Sequence, residues 1–201
     1  MKARWELIQA IIDKHDFKRY LEIGVGSTWW ETFPKVKCEF KVGVDPRVTK
    51  TQTGPGEVLY NMTSDKFFEQ NKEKFDIVFV DGLHLYEQVI RDTVNSWNCL
   101  EDIGYIVIHD CLGTNDMIRS REQTINLWTG DVWKAIIWFQ RTFPDIFCKI
   151  LNIDWGCGVI FKAFPRVLDM PDNVDEYMNL EFHWWMMPVV KDPAEILERK
   201  P

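Results

Sequence analysis

A chain of 201 residues with 46% hydrophobic composition is long enough to bury a sizeable core in one domain. Its formal net charge of −7 gives no whole-chain electrostatic footprint for nucleic acid. No run approaches the ~18 apolar residues of a membrane span, and five cysteines, an odd number without Cys-x-x-Cys spacing, argue against a disulfide framework and against structural zinc.

The N-terminus, Met1-Lys-Ala-Arg-Trp-Glu6, lacks the apolar stretch of a signal peptide. With the cysteine usage this predicts a soluble, cytoplasmic protein. Asn61-Met62-Thr63 matches a glycosylation acceptor by chance only. Trp5, Ile8, Ile11 and Ile12 recur at helical spacing, predicting an amphipathic helix over 3–15. A strand follows at 19–24, then a turn at Gly24 and Gly26, then a short helix over 28–33 that stops at Pro34. Residues 40–45 read as a second strand, 46–56 as a loop with Gly54-Pro55-Gly56, and 57–61 as a weak third strand. Thr63 or Ser64 can cap a helix running to about residue 72.

Phe75–Asp81 is almost continuously apolar, the mark of a parallel strand covered on both faces. Leu85, Val89, Thr93, Trp97 and Leu100 trace a helix face, and Gly104–Asp110 is another buried strand. A long polar connection spans 111–129, a helix 130–143, and two closing strands 147–151 and 158–164. A tail runs from 165 to 201. Strands alternating with helices predict an α/β doubly wound sheet without a domain boundary. The expected layout is a helix at 1–18, a core at 19–163 and a tail at 164–201.

Leu21-Glu-Ile-Gly-Val-Gly-Ser27 is the most informative segment. Glycines at 24 and 26 let a ligand lie against bare backbone, and Glu22 is an acid within a buried strand end, costly to bury without a purpose. A dinucleotide turn places a third glycine where this chain has Trp29, and no Gly-Lys-Ser/Thr follows to make a P-loop. Asp45 ends the next strand, where an acid can accept from both ribose hydroxyls. Asp81 and Asp110 end two more. Strand-end acids in an open parallel sheet face one crevice, although each alone reads as a helix cap or turn former.

These residues resemble the class I S-adenosylmethionine-dependent methyltransferases. Leu21–Ser27 is similar to their glycine-rich first motif, Val42-Gly-Val-Asp45 to the ribose-binding acid, and Met62–Phe68 to the adenine-contacting segment. Asp81-Gly-Leu-His84-Leu-Tyr86, with Asp92 and Gly104–Asp110, resembles a small-molecule O-methyltransferase subfamily that carries Asp-Gly-x-His-x-Tyr. The resemblance implies a Rossmann-like, seven-stranded, mostly parallel sheet with an antiparallel final strand and helices on both faces. It implies S-adenosylmethionine bound by Glu22, Gly24, Gly26, Ser27, Asp45, Thr63, Ser64 and Asp81. The departures are Thr28-Trp29-Trp30 after the turn, a missing second helix, and a lone Gly104 before the fifth strand.

Methyl transfer to a hydroxyl needs alignment and a base. The expected base is His84, with Asp81 and Asp110 completing the catalytic set. His109 is the rival, read as a buried structural histidine, and His15 and His183 as surface residues. Metal-dependent relatives use acids at the positions of Asp81 and Asp110, so these are the candidate ligands of a divalent metal such as magnesium. The next position is Cys111, a poor magnesium ligand, with His84 and Asp116 as other ways to complete a set. Arg119 and Arg121 in the 111–129 loop are read equally as acceptor contacts and as solvated surface. Trp184-Trp185-Met186-Met187 is expected to pack on the domain, with a homodimer interface second. The expected acceptor is a small polar molecule, carbohydrate included, with neither nucleic acid nor membrane as partner. The alternatives are an inactive cofactor-binding regulatory protein and a nucleotide-binding oxidoreductase, which Trp29 disfavours.

Overall fold

The computed structural model describes residues 1–26, 32–49 and 53–199. Helix α1 (Arg4–His15) forms as its pattern predicts, with Leu7, Ile8 and Ile11 fully buried along one stripe. The Glu6 carboxylate accepts from the backbone N–H of Lys2 (2.6 Å) and Ala3 (3.4 Å), satisfying donors that the helix start leaves open.

Strands β1 (Arg19–Ile23), β2 (Phe40–Val44), β3 (Glu57–Tyr60), β4 (Phe75–Val80) and β5 (Leu100–Ile108) pair in parallel. Strand β7 (Cys157–Lys162) runs antiparallel to both β5 and β6 (Phe147–Leu151). With a short strand β8 (Val189–Val190), the order is β3-β2-β1-β4-β5-β7-β6-β8, so the mostly parallel doubly wound sheet is borne out. The eighth strand, Val189–Val190, comes from the tail and pairs with β6. Two residues leave no periodic signal, so the sequence showed seven.

Helices α2 (Ser64–Gln70), α3 (Tyr86–Cys99) and α4 (Trp133–Thr142) cover the face opposite α1, and α5 (Ala194–Leu197) lies in the tail. Helix α4 starts three residues later than its pattern suggests, because Gly130 and Asp131 are used to hold the chain against His84. No helix joins β2 to β3 among the described residues. Ser27, Thr28, Trp29, Trp30 and most of the helix expected at 28–33 lie outside them, and Thr32 and Phe33 form a bend and turn. No described helix is long and apolar enough to cross a membrane. Within the tail cluster, Met187 is buried while Trp184 and Trp185 are 53% and 82% exposed.

The sheet places the strand ends in register. Gly24 N–H donates to Val44 O (2.8 Å), Asp81 N–H to Ile23 O (2.8 Å) and His109 N–H to Val80 O (3.0 Å). The winding reverses between β1 and β4, and a crevice opens at their carboxyl ends, where ligands bind in such sheets.

Candidate active site

A cavity of about 790 Å³ occupies this crevice, with Gly24, Asp45, Thr63, Ser64, His84 and Trp128 among its walls. Gly24 has φ +93°, and a Cβ there would lie 2.0 Å from the Asp81 carbonyl oxygen, so only glycine lets β1 turn this close to β4. Asp45 is buried. Its carboxylate accepts from Gly26 N–H (2.9 Å) and Arg47 N–H (2.7 Å), so it clamps the glycine turn while facing the cavity. Thr63 caps α2 by accepting from Lys66 N–H (3.4 Å) and also lines the cavity. Gln88 donates to the Ser64 hydroxyl (3.2 Å).

Glu22 is brought near the site but not into it. The strand alternation turns it to the α1 face, where it is buried and accepts a hydrogen bond from the Tyr20 hydroxyl. Burial pushes its carboxyl up to about 8.

Asp81, His84, His109 and Asp110 form one cluster. His84 Nε2 lies 3.5 Å from Asp81 Oδ1 and 3.3 Å from Asp110 Oδ2. His109 Nδ1 lies 3.3 Å from Asp81 and 3.2 Å from Asp110. Two carboxylates and two imidazoles therefore interleave. Burial alone would lower both histidines, but the two aspartates outweigh it and raise them, His109 strongly. Burial likewise pushes Asp81 up, and the His109, His84 and Arg4 charges overcome it, holding the carboxyl far below the usual range. Asp110 sits at φ +60°, a left-handed conformation that non-glycine residues adopt rarely and that recurs at functional sites.

The orientation of His84 is set from the loop. Its Nδ1 lies 3.1 Å from the Trp128 carbonyl oxygen, and the two rings stack at 5.3 Å. A carbonyl can only accept, so Nδ1 carries the hydrogen and Nε2 is aimed at the carboxylates. Gly130 permits this approach, since a Cβ there would meet the His84 carbonyl oxygen at 1.9 Å. Asp131 then accepts from Tyr86 N–H (2.9 Å), capping α3 from a distant segment. Tyr86 is fully buried and donates to Val174 O (3.1 Å), so the tyrosine of the Asp-Gly-x-His-x-Tyr motif is structural and anchors the tail.

The ligand atoms of Asp81, His84 and Asp110 all lie within 4.8 Å of one another, the sole such group among the described residues. The donor set, two carboxylate oxygens and an imidazole, fits a divalent cation. Cys111 takes no part: its thiol is fully buried against the carbonyls of Ile108 (3.4 Å) and His109 (3.6 Å). Asp116 is turned away, paired with Arg119 (2.6 Å).

A second cavity of about 270 Å³ opens beside the first, with Arg4, His109, Asp110, Leu127, Trp128 and Trp155 on its walls. Asn126 and Trp128 belong to both cavities, so the 111–129 loop forms their common wall. Arg119 and Arg121 face neither: Arg119 packs on the Phe182 ring at 4.0 Å, and Arg121 pairs with Glu87 and Asp131. His15 stacks on Phe17 at 5.2 Å, so it is half-buried rather than at the surface, while His183 is exposed.

Sequence reasoning missed Arg4 and Asp154. Arg4 lies 3.7 Å from Asp81 and 3.3 Å from Asp154, and Asp154 lies 3.7 Å from His109. The two are 150 residues apart in sequence, and neither stands in a motif. The left-handed residues of the β6–β7 turn could not be read from Asp-Trp.

Residues 13–111 match the family described as a methyltransferase domain. No curated protein matches the chain. Among solved structures it is similar to an SAH-bound methyltransferase of Podospora anserina, at 18% identity and TM-score 0.55, covering 80% of this chain and 79% of that one. An O-methyltransferase of Bacillus cereus in complex with SAH matches at 11% identity and TM-score 0.56, covering 79% and 80%. The O-methyltransferase TomG of Streptomyces achromogenes, involved in tomaymycin synthesis and solved with SAM, matches at 10% identity and TM-score 0.55, covering 78% of each.

Proposed function

Because the chain carries a methyltransferase domain, we propose that it moves the methyl group of S-adenosylmethionine to a hydroxyl of a small polar, sugar-like acceptor, with His84 as general base. One observation carries the reading. His84 lines the larger cavity, Asp110 lines the smaller, and the two side chains meet at 3.3 Å. A base at the junction of two cavities is where a hydroxyl from one would meet a methyl group from the other.

When bound, the cofactor supplies a methyl group activated by a sulfonium, and the leaving thioether needs no acid. The larger cavity would hold it, with Asp45 available to the ribose hydroxyls, Thr63 and Ser64 to the adenine, and the backbone at Gly24 and Gly26 to the amino-acid end. Ser27 keeps its proposed place in that set. Glu22 acts from behind the turn, through Tyr20 and the strand. The chain's contribution to rate is then alignment and proton removal. The acceptor proton passes to His84 Nε2. The imidazolium that forms is stabilised by Asp81 and Asp110, while Nδ1–H stays on the Trp128 carbonyl. The pairing of His84 with Asp81 and Asp110 beside both cavities favours catalysis over cofactor sensing.

Asp81, His84 and Asp110 would also seat a divalent cation, which would polarise the acceptor oxygen. Cation and proton compete for His84 Nε2, so the two roles of that atom are separable by experiment.

The test is His84→Ala and His84→Gln, read by S-adenosylhomocysteine calorimetry and by turnover on a panel of hydroxyl acceptors. Cofactor affinity should stay within a few-fold while turnover falls ~10²–10⁴-fold. Wild-type kcat/KM should rise through a pKa above 6.5, since the base works neutral and its pKa is raised. Turnover unchanged in both variants sinks the assignment.

A further inference from the structure

The turn between β6 and β7 has three consecutive residues in the left-handed region: Asp154 (φ 44°), Trp155 (φ 65°) and Gly156 (φ 88°). Glycine is needed at 156, where a Cβ would lie 2.6 Å from Leu112 Cγ. No such need explains a tryptophan at 155, a position that glycine or asparagine would occupy with less strain. Strained residues persist only where the surroundings over-determine them, and here they do. Leu112 N–H donates to Trp155 O (2.7 Å) and Cys111 N–H to Gly156 O (3.0 Å). Arg4 N–H donates to Asp154 Oδ2 (2.9 Å), tying the start of α1 to the same turn. The turn is thus fastened on one side to the residues directly after Asp110 and on the other to α1. The indole it holds is half-buried and lines the smaller cavity with Asp110, Asn126 and Thr129.

We propose that Trp155 is the specificity-determining platform of the acceptor site, the flat wall on which one hydroxylated six-membered ring stacks. The inference rests on the methyltransferase reading and deepens it. An indole offers a π-face to the C–H face of a saturated ring, and it is rigid, with only two side-chain torsions to order. Asp110, Asn126 and Thr129 supply acceptors and donors for the ring hydroxyls along the other walls. A cavity of about 270 Å³ has room for one such ring and not for a chain of them. Its position next to Asp110 brings a ring hydroxyl toward His84, which the same carboxylate contacts. A residue held against its own backbone preference, at the mouth of the reacting cluster, is placed there for its side chain.

The test uses the whole chain saturated with S-adenosylhomocysteine and methyl β-D-glucopyranoside as probe, read by saturation-transfer NMR. Trp155→Asn keeps a residue that tolerates the left-handed backbone and removes the indole; Trp155→Phe keeps a flat ring. Transfer to the sugar ring protons is expected in the wild type, reduced at least five-fold in Trp155→Asn and retained within two-fold in Trp155→Phe. S-adenosylhomocysteine affinity should be the same in all three. Wild-type transfer that persists in Trp155→Asn overturns the platform, as does a wild type that transfers nothing to the sugar, or saturates only benzene-1,2-diol offered in its place. Failure of S-adenosylhomocysteine to bind the wild type is a different result, and it refutes the methyltransferase reading itself.

Discussion

Glu22→Gln isolates the cost of an acid stored beneath the glycine turn. Burial raises the Glu22 carboxyl from 4.5 to about 8, so at neutral pH the folded chain holds a proton there that the unfolded chain has released. The folded state binds more protons across that window, and stability falls as pH rises through it. The loss begins near the unfolded value of 4.5 and levels off above about 8. At 1.36 kcal/mol per unit, the share accumulated between pH 4.5 and pH 7 is on the order of 3 kcal/mol. Glutamine keeps an oxygen for the Tyr20 hydroxyl and cannot ionise. Any fixed cost of its amide hydrogens is the same at every pH and cancels from the slope. Urea unfolding of both proteins at pH 4.5, 5.5, 7 and 8 reads the difference directly. The variant should gain about 3 kcal/mol relative to the wild type between the first and third pH. Parallel stability curves would refute the idea that Glu22 is a neutral acid in the fold.

Asp45→Ala removes the acceptor of Gly26 N–H and the acid that faces the cavity. With charge-assisted hydrogen bonds at ~1.5–3 kcal/mol each, S-adenosylhomocysteine affinity should fall roughly tenfold to a hundredfold by calorimetry. Gly24→Ala puts a methyl group 2.0 Å from a backbone oxygen at φ +93°, so thermal unfolding should show a loss of at least about 2 kcal/mol. An unshifted melting curve contradicts the close β1–β4 approach. Manganese(II) should bind more tightly at pH 8 than at pH 6, because it displaces the proton on His84 Nε2, and Asp110→Asn should abolish it. No binding at either pH removes the cation from the site.

The parts of the fold that were legible have local causes. Phe75–Val80 declares itself as a covered strand because both faces are buried and nearly every residue must be apolar. Asp45 and Asp81 are visible because each follows such a run at once. The turn glycines are visible because no other residue accepts their geometry. Glu22 stands out in the sequence as an acid in a buried strand, but only the fold shows that strand alternation puts it with Tyr20, away from Ile23 and the cavity. His109 is buried, as expected of a structural histidine at a strand end, yet it touches the same two carboxylates as His84. The remainder depends on segments brought together only by folding. Arg4 reaches Asp81 because α1 packs across the sheet, and Asp131 caps α3 from forty-five residues away. The β6–β7 turn takes its left-handed course from hydrogen bonds to Cys111 and Leu112, which no local pattern announces.

The wall that Asn126 and Trp128 give to both cavities has a thermodynamic consequence. Trp128 also fixes His84 through its carbonyl, so a ligand on either side that shifts this residue changes what the other side binds. Linkage makes such an effect reciprocal. Whatever factor an acceptor applies to the affinity for S-adenosylhomocysteine, S-adenosylhomocysteine must apply to the affinity for that acceptor. On the proposed reading, the affinities of the spent cofactor and of the molecule in the smaller cavity would therefore be linked through one residue rather than set independently.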